Sequence, residues 1–243
     1  MKLKKRGDEM LRKRMFIVIL FISMVFTTGL STFSLNSNIV YSDIEGHWAQ
    51  HMIEEFTQRG YLVGYSDGTF RPDYPITRAE AGAFVSRLGF PELYPEIVYS
   101  DLMEGTWYYN HVIAATKTGF VHGYPDVTYR PDIFILREEA TKLASHFWGE
   151  VDMAGYELAF SDKDSISDWS FNHLEKLCKM TLLDGYPDNT IRPKANLTRA
   201  EFVKLFYLIL IEPKYANITV RAVDSNNESY DLVEPKVFSY EIG

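Results

Sequence analysis

One cysteine, Cys178, stands in 243 residues, so no internal disulfide and no cysteine-based zinc site can be built. Basic charge is also short. The 25 Lys and Arg residues face 33 Asp and Glu, a formal net charge of −8, which argues against a chain that coats nucleic acid through a basic face. Long apolar runs are missing too. Residues 15–26 (MFIVILFISMVF) make only 12 positions, with Ser23 as the one polar member, whereas a membrane span needs roughly 20. Core-building material is not lacking: 46% hydrophobic and 15% aromatic residues exclude global disorder. The length allows one to three compact units.

The short apolar run has the surroundings of an export signal. Lys2, Lys4, Lys5, Arg6, Arg12, Lys13 and Arg14 precede it, opposed only by Asp8 and Glu9. Small residues follow in Thr27, Thr28, Gly29, Ser31, Thr32 and Ser34. That order is the layout of a secretory signal peptide over residues 1–34. Met10 offers a second start, and a retained N-terminal anchor is the alternative reading. Cleavage near Ser34 leaves 18 basic and 31 acidic residues, a net of −13.

The rest of the chain repeats itself. Tyr41-Ser42-Asp43, Tyr99-Ser100-Asp101 and Phe160-Ser161-Asp162 open three units, and Trp48, Trp107 and Trp169 follow them. Next come Gly64-Tyr65-Ser66-Asp67-Gly68-Thr69-Phe70-Arg71-Pro72 and its counterparts from Gly123 and Gly185. The units close on Thr77-Arg78-Ala79-Glu80, Leu136-Arg137-Glu138-Glu139 and Thr198-Arg199-Ala200-Glu201. Tryptophans, glycines and arginines all keep spacings of 59 and then 62 residues. Three markers with one offset define three copies of a unit, here residues 41–94, 95–154 and 155–213.

Each copy reads as helix, turn, helix, so the fold class is mainly all-α. Met52, Ile53 and Phe56 after Trp48 mark a helical face. Gly60 and Gly119 sit where a helix C-terminus needs a left-handed residue, and Thr181 takes that place in the third copy. The Gly-Tyr-x-Asp segment predicts a tight turn between short extended pieces, with Arg71, Arg130 and Arg192 structural within it. Thr77 with Glu80, and Thr198 with Glu201, form capping boxes. Beyond them Ala81, Phe84, Val85 and Leu88 make a stripe, matched by Ala140, Leu143, Ala144 and Phe147 and by Phe202, Leu205, Phe206 and Ile209. Three helix pairs can close around a shared core with these stripes meeting centrally.

The second copy departs twice. Leu136 replaces the capping threonine, at a cost on the order of 1 kcal/mol. Val127 stands after the turn aspartate, where positive φ is expected, at roughly 1–2 kcal/mol for a β-branched residue. These changes predict the weakest pocket around Arg137.

This combination of motifs resembles the S-layer homology repeat, and three in tandem resemble that family's complete wall-anchoring module. The likeness covers residues 41–210. It implies a three-lobed pseudo-trimer around a central three-helix bundle, holding a secondary cell-wall polysaccharide attached to peptidoglycan, often one bearing pyruvate ketals. It implies a non-catalytic protein of the bacterial wall or surface layer, with no cofactor, no nucleic acid and no membrane contact after signal cleavage. Other surface-layer proteins are further candidate partners. Ligand-binding roles are implied for Arg78, Arg137 and Arg199 and for Trp48, Trp107 and Trp169. Asp43, Asp101, Asp162, Gly64, Gly123 and Gly185 belong to the same implied set.

The residues themselves allow such a site. An arginine just past a helix N-cap lies beside unpaired N–H groups and can grip a carboxylate bidentately; pairing of Arg78, Arg137 and Arg199 with nearby acids across lobe contacts is the alternative. Tryptophan offers a flat face to a sugar ring; its plainer role is a core anchor. Asp43, Asp101 and Asp162 are most simply N-caps of the first helices. Asp67, Asp126 and Asp188 are turn formers, and their segments lack a calcium-loop pattern. At −13 the exported chain repels an anionic polymer at long range, so attraction must be local and salt-tolerant.

Two rival classes remain. Glu80, Glu139 and Glu201 with those turn aspartates could pair for glycoside hydrolysis, yet acids copied three times with capping and turn roles make poor catalysts. The six histidines share no metal-ligand spacing. A purely structural role, with repeats assembling on other chains, is the second rival. Residues 214–243 form a small extension: 218–223 alternate like a strand, 224–228 turn, and 230–233 could return. A truncated β domain and a disordered tail are both open for it.

Overall fold

The computed structural model describes residues 41–147 and 151–211, with the backbone of 222–223 and 229–230. The expected signal peptide, residues 1–34, lies outside the described residues. Among the described residues six α-helices carry the fold: α1 (Gln50–Gln58), α2 (Arg78–Arg87), α3 (Tyr109–Thr118), α4 (Arg137–Ser145), α5 (Asp168–Lys179) and α6 (Arg199–Leu210). Beyond them Ala222–Val223 (β1) pairs antiparallel with Ser229–Tyr230 (β2), inside the extension where a strand and its return were expected. The molecule is mainly helical, as read from the sequence.

The helices pair across copies rather than within them. The second helix of each copy packs on the first helix of the next: α2 on α3, α4 on α5, and α6 back on α1. The contacts therefore run round in one direction and close. Backbone hydrogen bonds repeat that circuit at the centre. Ile76 N donates to Leu197 O at 3.0 Å, Leu197 N to Ile135 O at 3.1 Å, and Ile135 N to Ile76 O at 3.0 Å. Each of these three residues is buried and lies two positions before a second helix. A local sequence pattern cannot satisfy such a ring alone; every copy donates to one neighbour and accepts from the other.

The predicted stripes meet through side chains. Phe84 of α2 lies 5.3 Å from Phe202 and 4.9 Å from Phe206 of α6, ring centre to ring centre. Phe147, just past α4, reaches Phe206 at 5.5 Å. Phe56 of α1 adds a contact to Phe84 at 5.6 Å. Large aromatic rings, all buried, thus fill the middle where helix backbones stand too far apart for small residues. Between neighbouring helices the pins are polar. His111 Nδ1 meets Ser86 Oγ at 2.7 Å, and His173 Nδ1 meets Ser145 Oγ at the same distance. The α6–α1 pair uses Tyr207, which donates to Glu55 at 2.7 Å.

Local expectations about the backbone fare well. Thr77 and Thr198 cap their helices, each accepting from the backbone of the glutamate three residues on. Leu136 has no acceptor, so α4 keeps only the returning half, Leu136 N to Glu139 Oε2 at 3.0 Å. Gly60, Gly119 and Thr181 all have positive φ, and so do Gly68, Val127 and Asn189 after the turn aspartates. Val127 therefore holds the strained conformation anticipated for it, at φ 61°.

Two expectations fail. Asp43, Asp101 and Asp162 do not cap first helices, which begin several residues later. Each carboxylate instead accepts from two successive backbone N–H groups of the Arg-Pro turn. Asp43 takes Phe70 N and Arg71 N, both at 2.7 Å; Asp101 and Asp162 do the same for Tyr129–Arg130 and Ile191–Arg192. Arg71, Arg130 and Arg192 are left-handed, with φ of 58°, 59° and 51°. A paired carboxylate is what holds a non-glycine residue there against its steric cost. The tryptophans, second, are not core anchors: Trp48, Trp107 and Trp169 are 52%, 59% and 47% exposed. The core positions fall to the smaller aliphatic and phenylalanine side chains that follow.

Candidate functional site

The three arginines at the starts of α2, α4 and α6 sit at the seams between copies. They are 7%, 7% and 4% exposed. Arg78 donates through Nε to Tyr129 O at 2.9 Å, through Nη2 to His122 O at 2.9 Å, and through Nη1 to Glu139 at 3.3 Å. Arg199 repeats this on Phe70 O, Val63 O and Glu80 at 2.8, 3.3 and 2.7 Å. Arg137 is looser. It reaches Asp184 O at 2.6 Å and the Tyr186 hydroxyl at 3.4 Å, while Glu201 stands 3.7 Å away and the buried Nε has no partner.

The helix-start N–H groups are also engaged. Arg78 and Ala79 donate to Ile133 O and Pro131 O; Arg137 and Glu138 to Ala195 O and Pro193 O; Arg199 and Ala200 to Tyr74 O and Pro72 O. Unpaired donors beside a free guanidinium, the arrangement expected from the sequence, are therefore not present. The arginines act as clamps that fasten one copy to the next.

Each clamp closes on a glutamate with three duties. One oxygen of Glu80 accepts Thr77 N at 2.8 Å, capping its own helix; the other accepts Arg199 and the Tyr65 hydroxyl, both at 2.7 Å. Glu139 and Glu201 bind Tyr124 and Tyr186 in the same way, at 2.7 and 2.6 Å. These tyrosines went unremarked in the sequence, although each lies 15 residues before its glutamate. Each ring is sandwiched between two guanidinium groups, as with Tyr65 under Arg71 at 4.0 Å and Arg199 at 4.9 Å. Burial and the bond to Glu80 push the Tyr65 hydroxyl up to about 12, and the Tyr124 and Tyr186 hydroxyls rise for the same reasons.

Arg71, Arg130 and Arg192 complete the outer side of that sandwich and pair with Asp67, Asp126 and Asp188 at 2.7 to 2.8 Å. The threonine hydroxyls at the turn, with these arginines, hold the three carboxyls down at about 2. Gly64, Gly123 and Gly185 have a packing reason: a Cβ there would overlap the ring of Tyr41, Tyr99 or Phe160 and the carbonyl of the turn threonine. The glycines and the aspartates thus build the turn that carries the tyrosine.

A groove of about 250 Å³ opens above one clamp. Trp48 from the first copy, Arg137 from the second, and Asp184, Tyr186, Glu201 and Lys204 from the third line it. All three copies meet there, with the tryptophan exposed at the rim and the arginine on the floor. A wider depression of about 460 Å³ along α1, around His51 and Glu55, gathers none of the repeated residues. Among the described residues no group of three or more His, Cys, Asp or Glu side chains could hold a metal ion. Nor is any described helix long and apolar enough to cross a membrane.

Fold and seams together define a class: a helical module of three interlocked copies, with one tryptophan rim and one arginine clamp from each. The chain belongs to the S-layer homology domain family, whose model matches residues 40–81, 98–141 and 159–203. It is 37% identical over 186 residues to cell surface glycoprotein 1 of Acetivibrio thermocellus, covering 71% of this chain and 8% of that protein. It is 32% identical over 188 residues to exoglucanase XynX of Acetivibrio thermocellus, covering 75% of this chain and 17% of that enzyme. To the cellulosome-anchoring protein of Acetivibrio thermocellus it is 34% identical over 153 residues, 60% of this chain and 34% of that protein. The chain spans about a third or less of the length of these curated relatives. Its family membership places it at the cell wall or surface layer.

Proposed function

We propose that this chain is a non-catalytic module that anchors to the cell wall by holding an anionic, pyruvylated secondary polysaccharide in the grooves between its copies. The cyclic pairing of helices supports the three-lobed pseudo-trimer that such a reading needs. The observation that carries it is the exposure of all three repeated tryptophans, with Trp48 at the rim of a groove where the copies meet. Large aromatic faces left in solvent at one repeated position are costly to keep unless they meet a partner. A sugar ring fits that partner, its C–H face on the indole and its hydroxyls on the polar rim. The buried arginines hold the floor; rim tryptophan, tyrosine and lysine make the contacts.

The relatives agree with an accessory role. Enzymes such as exoglucanase XynX share only a small part of their length with this chain, and the cellulosome-anchoring protein carries its role in its name. Within the clamps, Glu80, Glu139 and Glu201 are committed to capping, tyrosine and arginine, which argues against their use as a hydrolytic pair.

Purified wall sacculi provide the test. The chain should sediment with untreated sacculi and stay in solution after hydrofluoric acid removes the secondary polymer. Equal binding before and after extraction, or release of reducing sugar, contradicts the proposal.

A further inference from the structure

The three seams are built alike and charged differently. Five residues past each clamp arginine, the helix presents Ala83, Lys142 or Lys204. The carbonyl that receives the clamp's Nη2 belongs to Val63, His122 or Asp184. These two positions set the difference between the rims, because the clamp and turn arginines stand opposite equivalent acids in every copy. Every clamp arginine faces its glutamate, and every turn arginine faces its aspartate.

In the Trp48 groove, Lys204 is itself paired with Asp184 at 3.2 Å. Around Arg199 the equivalent positions are Ala83 and Val63, which bring no charge. The third case differs. Lys142 places its ammonium 5.4 Å from the centre of the exposed Trp169 ring, and among the described residues no carboxylate pairs with it. Beside it stand His146, His173 and, on α5, Lys176, while Glu139 one turn back on α4 is bound to Arg78.

Resting on the glycan-binding reading above, we infer that the groove rimmed by Trp169 takes the ligand's carboxylate, with Lys142 as the residue that sets this preference. A sugar ring stacked on Trp169 brings a carboxylate substituent within reach of an ammonium already lying over the same indole. The ammonium is a point donor with no competing acid, whereas Lys204 must first release Asp184. The anionic group therefore goes to one seam of three, and the other two serve the neutral parts of the polymer.

Heteronuclear NMR of the full chain reads the grooves separately, since each rim has its own indole N–H. A synthetic methyl glycoside bearing a pyruvate ketal is the probe, its methyl ester the uncharged control, and sacculus binding is measured alongside. The Trp169 indole should move first, and the ester should leave it in place. Lys142→Gln should weaken that response about ten-fold, as loss of one charge-assisted contact does. Asp184→Asn should strengthen the response at Trp48 about three-fold by freeing Lys204. A first response at Trp48 or Trp107 overturns the assignment while leaving anchoring intact. So does an unchanged Trp169 titration in Lys142→Gln, or a chain that binds sacculi with no indole moved by the ketal. Failure to bind sacculi together with silent indoles overturns the functional reading, and the assignment with it.

Discussion

The second copy and its two neighbours solve one folding problem with different residues. Copies one and three start their second helices with a threonine cap, and put glycine or asparagine at the left-handed turn position. The second copy uses Leu136 and Val127, and its helix starts and its turn closes in the same geometry. The difference shows where the fold draws its stability. Backbone bonds from the adjacent copy, Arg137 N to Ala195 O and Glu138 N to Pro193 O, hold the start of α4 without a cap. Inter-copy contacts override local preference there.

The clamps give the sharpest way to break this comparison. Arg199→Ala leaves the partly buried Glu80 without its charged partner and should cost about 3 kcal/mol. Arg78→Ala should cost nearly as much. Arg137→Ala should cost distinctly less, because its guanidinium is already short of partners. Urea unfolding of the three variants orders them; equal losses would dissolve the distinction.

Acid should separate the pairs of helices next. Burial pushes the His146 imidazole down from 6.5 to about 4, and burial lowers His173 as well. A histidine held neutral by the fold takes up its proton more readily in the unfolded chain. The stability it carries is therefore complete above about pH 6.5 and is lost as pH falls toward 4. The melting temperature should drop by about 3–6 °C between roughly pH 7 and pH 5. His146→Asn should flatten that slope, and an unchanged slope in the variant would remove the histidine from the account.

Repairing the second copy should have the smallest effect. Leu136→Thr restores the missing cap and Val127→Asn copies the third turn; each should raise stability by about 1 kcal/mol in denaturant titration. No gain from either would mean that the neighbouring copy already supplies everything the local residue could.

What the sequence disclosed follows the same division. Left-handed Gly60, Gly119 and Thr181, the strain at Val127, the two capping boxes and the phenylalanine stripes are local or periodic features, and all were legible. The partners of Arg78, Asp43 and Trp48 were not. In a chain of three copies, a residue's partner can lie in its own copy or in the next, and spacing alone is the same for both. Arg78 therefore carried two readings, an anion grip at a helix mouth and a pair with an acid across a lobe contact, and it reaches across the seam to Glu139. Tyr65, Tyr124 and Tyr186 were given no role of their own, although their constant distance to the capping glutamate was a signal that they share its network.

The most direct measurement is the retention of the Trp48→Ala, Trp107→Ala, Trp169→Ala triple variant on untreated sacculi. These side chains lie outside the core, so its melting temperature should stay near that of the parent chain while wall binding is lost. A triple variant that folds and binds walls as the parent does would contradict anchoring through the tryptophan-rimmed grooves.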